Sequence, residues 1–229
     1  MSERPGLARE RLVLWVGSAS EMAEDVAFPH GIDERDTLRY VNSAGAPHPQ
    51  PEKQRLPQQP MLLVVWFPPR DLESGTLVQA LCERFTLGLG ERRVVTHCLA
   101  AYEPTGNLSH TNAPGDYAGL MVGLTDCVDP SALEAFQTWY DQVHAAEALA
   151  PGIFSTGHRY RRLGPGVPRR LPAEPATPHA LAAPEFLALY ESERPGTEAV
   201  AELVKPENRP PSALHPSCRI RGFWAFDRS

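Results

Sequence analysis

Residues 117–163 read YAGLMVGLTDCVDPSALEAFQTWYDQVHAAEALAPGIFSTGHRYRRL, and this stretch decides the predicted fold. Tyr117 to Leu124 has the apolar content of a buried strand. Asp129-Pro130 suits the N-cap and first position of a helix, and Pro151-Gly152 suits its end. Ile153 to Leu163 then reads as a second strand. The stretch therefore predicts a strand, a helix over Pro130 to Ala150, and a strand.

The rest of the second half extends this pattern. A proline-rich connector, Gly164 to Pro184, separates the second strand from a short apolar strand over Glu185 to Glu191. Thr197 to Val204 reads as a short helix, and Arg219 to Phe226 as a final aromatic strand. The predicted order of the second half is βαββαβ.

The first half repeats that order with weaker signals. Its predicted strands are Arg11 to Val16, Thr37 to Val41, Met61 to Phe67 and Arg92 to Tyr102, and its predicted helices are Ser20 to Val26 and Thr76 to Phe85. Both halves place their longest proline-rich loop between the second and third strands, which suggests a duplication. The alternative is that any α+β chain of this length can be divided in this way.

A βαββαβ unit is the ferredoxin-like arrangement, with two helices on one face of a four-stranded antiparallel sheet. We expect an α+β fold of two tandem ferredoxin-like βαββαβ units whose antiparallel sheets pack as an intramolecular α/β barrel. The predicted divisions are a degenerate N-terminal repeat over 1–104, a connector over 105–116 and a C-terminal repeat over 117–229. Such a chain is a monomeric pseudo-dimer, and pairing into a homodimer through sheet edges stays open.

Composition excludes several classes of protein. The 229 residues carry a net charge of −6 without a dense basic run, which argues against nucleic-acid binding. The four cysteines include no C-x-x-C pair, so neither a zinc ribbon nor a dithiol motif is expected, and no metal site is predicted. Leu12 to Val16 is too short for a signal-peptide core, and no segment is long enough to span a membrane. We expect a cytoplasmic protein.

The helix motif Trp139-Tyr140-Asp141 with His144 places polar groups beside an apolar face. At about 100° per residue, the apolar stripe holds Leu133, Phe136, Tyr140 and Val143, and its polar edge holds Gln137, Asp141 and His144. An imidazole titrates near neutrality, so His144 is the candidate general acid or base. Asp141 would orient it or stabilise its charged form, and Tyr140 would donate a hydrogen bond to a substrate oxygen. The alternative is a surface pair on the helix and a packed tyrosine.

The strand after this helix supplies candidate substrate-binding residues. Alternation places His158 and Tyr160 on one face of the strand and Arg159 on the other. Alternation alone does not decide which of these faces looks into the barrel. We take Trp139, His158, Arg159 and Tyr160 as candidates for substrate binding. The alternatives are core packing for the ring side chains and a solvated edge charge for the arginine. No G-x-S-x-G, Walker or H-E-x-x-H motif occurs, which disfavours serine hydrolysis and nucleotide dependence.

The second half resembles the EthD-like members of the dimeric α/β-barrel superfamily. The residues that carry the likeness are Trp139-Tyr140-Asp141 with His144, Pro151-Gly152-Ile153, Arg159-Tyr160 and the run from Phe186 to Glu191. The likeness covers roughly Tyr117 to Phe226, and Ala145-Ala146 departs from the apolar-proline pair that often follows the histidine. The first half has no matching motif, so the resemblance implies a degenerate first repeat and one site, most of it in the second half.

The resemblance implies small hydrophobic or aromatic substrates, in degradation or in secondary metabolism such as polyketide tailoring. The superfamily includes cofactor-free monooxygenases, lactone isomerases, polyketide cyclases and dehydratases, and haem-binding enzymes, so its fold underdetermines function. We expect a cofactor-independent enzyme that transfers protons, as an isomerase, cyclase, dehydratase or decarboxylase. The alternatives are a haem- or oxygen-dependent monooxygenase and a non-catalytic carrier of a hydrophobic metabolite.

Overall fold

A computed structural model of the chain describes residues 11–19, 37–42, 61–68, 94–109, 117–164 and 183–228. Eight strands form a closed antiparallel barrel. They are β1 (Leu12–Ala19), β2 (Thr37–Asn42), β3 (Met61–Trp66), β4 (Val94–Ser109), β5 (Gly119–Cys127), β6 (Thr156–Leu163), β7 (Phe186–Ser192) and β8 (Cys218–Arg228). The eight predicted strand segments are confirmed with shifted ends, whereas the helices predicted over 20–26 and 76–85 lie outside the described residues.

The strands follow the order β1-β3-β2-β8-β5-β7-β6-β4 around the barrel, and β4 returns to pair with β1. The predicted fold class, an α+β fold of two tandem ferredoxin-like units with packed sheets, is wrong. The described chain is mostly β, and its strands form one continuous hydrogen-bonded sheet, because β2 pairs with β8 and β4 pairs with β6. This pairing satisfies backbone N–H and C=O groups that two separate sheets would leave open at their edges.

Side chains alternate between the barrel interior and its outer face. On β5, Leu120, Val122 and Leu124 belong to the interior core, whereas Met121 packs with the helices outside. The interior is filled by side chains that include Tyr40, Phe67, Tyr102, Tyr160, Trp224 and Phe226. The space between the outer wall and its covering helices is therefore separate from the barrel interior.

A long helix over 130–149 crosses the outer wall between β5 and β6. It consists of a 3-10 turn (Pro130–Ala132), α1 (Leu133–Trp139), a π-helical turn (Tyr140–His144) and α2 (Ala145–Leu149). The predicted N-cap is confirmed, because an Asp129 carboxylate oxygen accepts a 2.9 Å hydrogen bond from the Ser131 N–H. Just beyond the helix, Gly152 has a φ of 71°, a left-handed conformation that glycine adopts most readily. A second helix, α3 (Gly196–Leu203), precedes β8. No helix in the described segments has the length and apolarity needed to cross a membrane.

The π-helical turn changes which side of the long helix is buried. The Ala145 N–H donates to the Tyr140 carbonyl, five residues back. Phe136, Tyr140 and Ala145 are buried, so the burial step after Tyr140 is five residues. The predicted stripe is therefore wrong at Val143, which is only partly buried. The extra residue in this turn shifts the register that a uniform 100° step predicts.

Candidate functional site

A cavity of about 230 Å³ lies between the outer wall of the barrel and the long helix. Met121, Gly123 and Thr125 of β5 line its wall, and Tyr140, His144 and Ala148 line it from the helix. Tyr190, residues of β8 and parts of the segment 203–214 complete it. Its mostly apolar lining suits an organic ligand, and its volume, below the usual range of about 300–1,000 Å³, restricts that ligand to a small one.

Gly123 leaves room beneath the Tyr140 hydroxyl. A Cβ atom at this position would lie 3.7 Å from Tyr140 Oη and 3.9 Å from the Ala188 Cβ. These are ordinary contact distances, so the glycine is not needed for backbone clearance. Its lack of a side chain enlarges the cavity at the point where a phenol oxygen borders it.

His144 is held by aromatic contacts at the end of the π-helical turn. Its ring stacks on Trp139 at a centroid distance of 4.9 Å and meets Tyr140 edge-on at 5.0 Å. Its Nδ1 atom is buried and has no hydrogen-bond partner. Burial lowers the pKa of His144 below its ordinary value of 6.5; Glu147 opposes this shift, and the Arg159 charge adds to it. The ring is therefore neutral at neutral pH and can accept a proton.

Tyr140 and Tyr190 bring two buried phenols to the same cavity. Burial raises the pKa of Tyr140 to about 12 and that of Tyr190 well above its ordinary value. The two hydroxyls are close enough to affect each other's ionisation, but the Tyr190 hydroxyl has no partner at hydrogen-bonding geometry. Both groups stay protonated at neutral pH and can donate hydrogen bonds to a ligand oxygen.

Arg159 and Asp141 form an ion pair behind the cavity. Arg159 Nη1 donates to Asp141 Oδ1 at 2.7 Å. The guanidinium carbon lies 4.1 Å from the centroid of the Tyr140 ring, a cation–π geometry. Neither charged residue lines the cavity. The carboxylate thus bonds to the arginine of β6, and the pair holds the tyrosine in place.

His158 and Tyr160 face the opposite side of β6. His158 Nε2 lies 3.0 Å from Glu191 Oε2, and Thr156 Oγ1 donates to the same oxygen at 2.7 Å. Tyr160 belongs to the interior core, and burial raises its pKa, with the Glu191 charge adding to the shift. The wall of the barrel separates this polar cluster from the cavity.

The structure thus divides the residues nominated from the sequence. Tyr140 and His144 line the cavity, and Trp139, Asp141 and Arg159 support them from behind. His158 and Tyr160 lie on the interior side of the wall. Within the described part of the chain, no group of three or more His, Cys, Asp or Glu residues is placed to hold a metal ion.

Tyr190 is the residue of this site that sequence reasoning missed as a candidate. It stands near the end of the otherwise apolar run from Phe186 to Glu191. A tyrosine at such a position has an apolar ring and a polar tip, which is a signal for a cavity edge. Alternation places it on the face opposite Glu191, and so on the outer wall with Ala188.

Comparisons with known proteins found few likenesses. No protein-family model matches the chain, and no curated protein matches it. A solved structure named an anthrone oxidase-like protein is 12% identical with a TM-score of 0.49, over 98% of this chain and 94% of that chain. A protein of Fusobacterium nucleatum, provisionally named a monooxygenase, is 7% identical with a TM-score of 0.38, over 96% of this chain and 92% of that chain. Because both TM-scores lie below 0.5, these likenesses support no conclusion about activity.

Proposed function

We propose that this protein is a cofactor-independent enzyme that binds a small hydrophobic or aromatic metabolite between the long helix and the barrel wall. In this proposal His144 transfers a proton. The main support is that an imidazole kept neutral by burial, His144, lines the same apolar cavity as the two buried phenols of Tyr140 and Tyr190. A proton acceptor and two hydrogen-bond donors thus border one space of a size for a small ligand.

The proposed first step is removal of a proton from an acidic C–H or O–H group of the substrate by His144. The lowered pKa of His144 keeps the ring neutral before the step. As the proton leaves, negative charge develops on a conjugated substrate oxygen, and the Tyr190 hydroxyl donates a hydrogen bond to it. Such a donor acts strongly in an apolar site because little water competes with it.

The proposed second step returns the proton to the substrate. Delivery to another carbon gives an isomerisation, and delivery to a leaving hydroxyl gives a dehydration. Burial disfavours the charged form of His144, as does Arg159, whereas Glu147 favours it. Because the net effect lowers the pKa, the protonated ring holds its proton weakly and can return it to the substrate.

A proton-exchange assay tests this proposal. 2-Tetralone and related aromatic ketones are incubated with the protein in deuterium oxide, and exchange of the acidic C–H is followed by NMR. We expect the wild-type protein to accelerate exchange and His144→Gln to lower kcat by about 100-fold or more. Gln142→Ala is the matched control, because Gln142 is exposed on the same helical turn. An unchanged rate in His144→Gln would contradict the proposal.

Further measurements on the same protein separate the alternatives. A reaction that stops under argon would favour an oxygen-dependent monooxygenase, and a Soret band on addition of hemin would favour haem chemistry. Tight binding of a ketone without exchange would favour a carrier, in which case His144→Gln would change stability and no rate.

A further inference from the structure

Cys127 and Cys218 are directly opposite each other where β5 ends and β8 begins. The Val128 N–H donates to the Ser217 carbonyl at 2.8 Å, which makes that neighbouring pair the hydrogen-bonded position of the ladder. The two cysteines therefore occupy a non-hydrogen-bonded position, where Cα atoms lie about 4.5 Å apart and side chains are closest. A disulfide needs a Cα separation of about 4.4–6.8 Å. The ladder already holds both residues within that range.

The surroundings of the two thiols differ from those of Cys98. Cys127 and Cys218 are partly exposed and carry free thiols, whereas Cys98 is buried inside the barrel. The Cys127 thiol donates to the Asp129 carbonyl at 3.1 Å, and Cys218 lines the cavity. Burial raises the pKa of Cys218 to about 11, and the nearby Cys127 adds to that rise. The two thiols are thus close enough for the charge of one to affect the ionisation of the other.

We propose that Cys127 and Cys218 form a reversible cross-strand disulfide by exchange with a small-molecule disulfide such as oxidised glutathione. The Cys127 thiolate attacks one glutathione sulfur and expels the first glutathione thiolate. The Cys218 thiol then loses its proton to solvent and attacks the Cys127 sulfur, which forms the protein disulfide and expels the second glutathione thiolate. Two electrons pass to the oxidant, and the two thiol protons end on the two glutathione products.

This disulfide joins the end of β5 to the start of β8 beside the cavity. The segment 203–214, which contributes to the cavity lining, lies between α3 and β8 along the chain. Oxidation therefore anchors the chain just after this segment. This proposal does not rest on the proposed catalysis, because oxidation of the thiols is measured without any substrate.

The test equilibrates the folded wild-type protein with mixtures of reduced and oxidised glutathione, then blocks free thiols with N-ethylmaleimide. Digestion with trypsin and chymotrypsin separates Cys98 from Cys127, because Tyr102 and Tyr117 lie between them. Mass spectrometry is expected to find a Cys127–Cys218 linked peptide as the dominant protein disulfide, with reversal by dithiothreitol. Mixed glutathione disulfides without this link, or equal yields of links to the other cysteines, would overturn the proposal.

Three variants sharpen the result. Cys127→Ser and Cys218→Ser are each expected to abolish the intramolecular link and to leave the remaining thiol as a mixed disulfide. Cys98→Ser is the matched control and is expected to keep the link at the wild-type yield. Because the linked peptide is mapped on the wild-type chain, the outcome does not depend on whether a variant folds.

Discussion

Asp141 Oδ1 accepts a 2.7 Å hydrogen bond from Arg159 Nη1, and this ion pair joins the π-helical turn to β6. Its two ends differ in exposure, with the arginine side chain 3% exposed and the aspartate side chain 36% exposed. The buried guanidinium packs over the Tyr140 ring. The pair therefore couples the helix, the barrel wall and one phenol of the cavity.

Asp141→Asn is expected to destabilise the protein by leaving the buried Arg159 without a counter-charge. Complete burial would imply a loss of about 3–5 kcal/mol. Exposure of the aspartate reduces this to about 2 kcal/mol in the free energy of unfolding, which urea denaturation measures. Glu185→Gln is the control, because its partner Arg161 is 45% exposed and loss of this pair should cost less than about 1 kcal/mol. Equal losses in the two variants would show that burial of Arg159 does not matter.

The lowered pKa of His144 should make the free energy of unfolding fall at acidic pH. In the unfolded chain this group binds a proton below its ordinary pKa of 6.5, whereas the folded state resists protonation. Stability from the neutral ring is thus complete above pH 6.5 and is lost as the pH falls through the lower folded pKa. We expect His144→Gln to make the fall in unfolding free energy between about pH 7 and about pH 5 shallower. Gln142→Ala should keep the wild-type slope, and an unchanged slope in His144→Gln would refute the assignment.

Tyr190→Phe is expected to lower activity without lowering stability. Because the Tyr190 hydroxyl is buried without a partner, its removal should leave the free energy of unfolding unchanged or raise it by about 1 kcal/mol. Tyr102→Phe is the matched variant, since the Tyr102 hydroxyl donates to the Pro184 carbonyl at 3.1 Å. It should lose about 1 kcal/mol. Thermal and urea unfolding of both proteins check the contrast, and the proton-exchange rate should fall only in Tyr190→Phe.

Two glycines of β5 should respond differently to alanine. At Gly119 an added Cβ would overlap the backbone of Arg194 and Gly196, so Gly119→Ala should cost about 3 kcal/mol or more. At Gly123 the same atom meets only ordinary contacts, so Gly123→Ala should stay within about 1 kcal/mol of the wild type. Urea denaturation measures both. A comparable loss at Gly123 would mean that the space beneath Tyr140 is not open.

Local signals in the sequence were enough to place the strands and the ends of the long helix. Asp129 caps its first turn and Gly152 follows its end, because a side-chain acceptor and a residue tolerant of positive φ act within a few positions of the backbone they serve. The motif containing Tyr140 and His144 was likewise visible as a polar edge beside an apolar stripe. What the local pattern missed was the extra residue of the π-helical turn, which depends on how the helix packs on the barrel.

The sequence by itself determined where strands and helix caps occur, and which helix carries an imidazole beside two other polar side chains. Only the tertiary structure decided that the strands close into one barrel, that Arg159 faces the helix while His158 faces the interior, and that Tyr190 and Cys218 meet His144 at one cavity. The physical reason is that alternation has the same period for either face of a strand. The pairing of strand edges, and the meeting of these side chains at one cavity, depend on hydrogen bonds and contacts between residues far apart in the chain. Local periodicity does not predict such contacts.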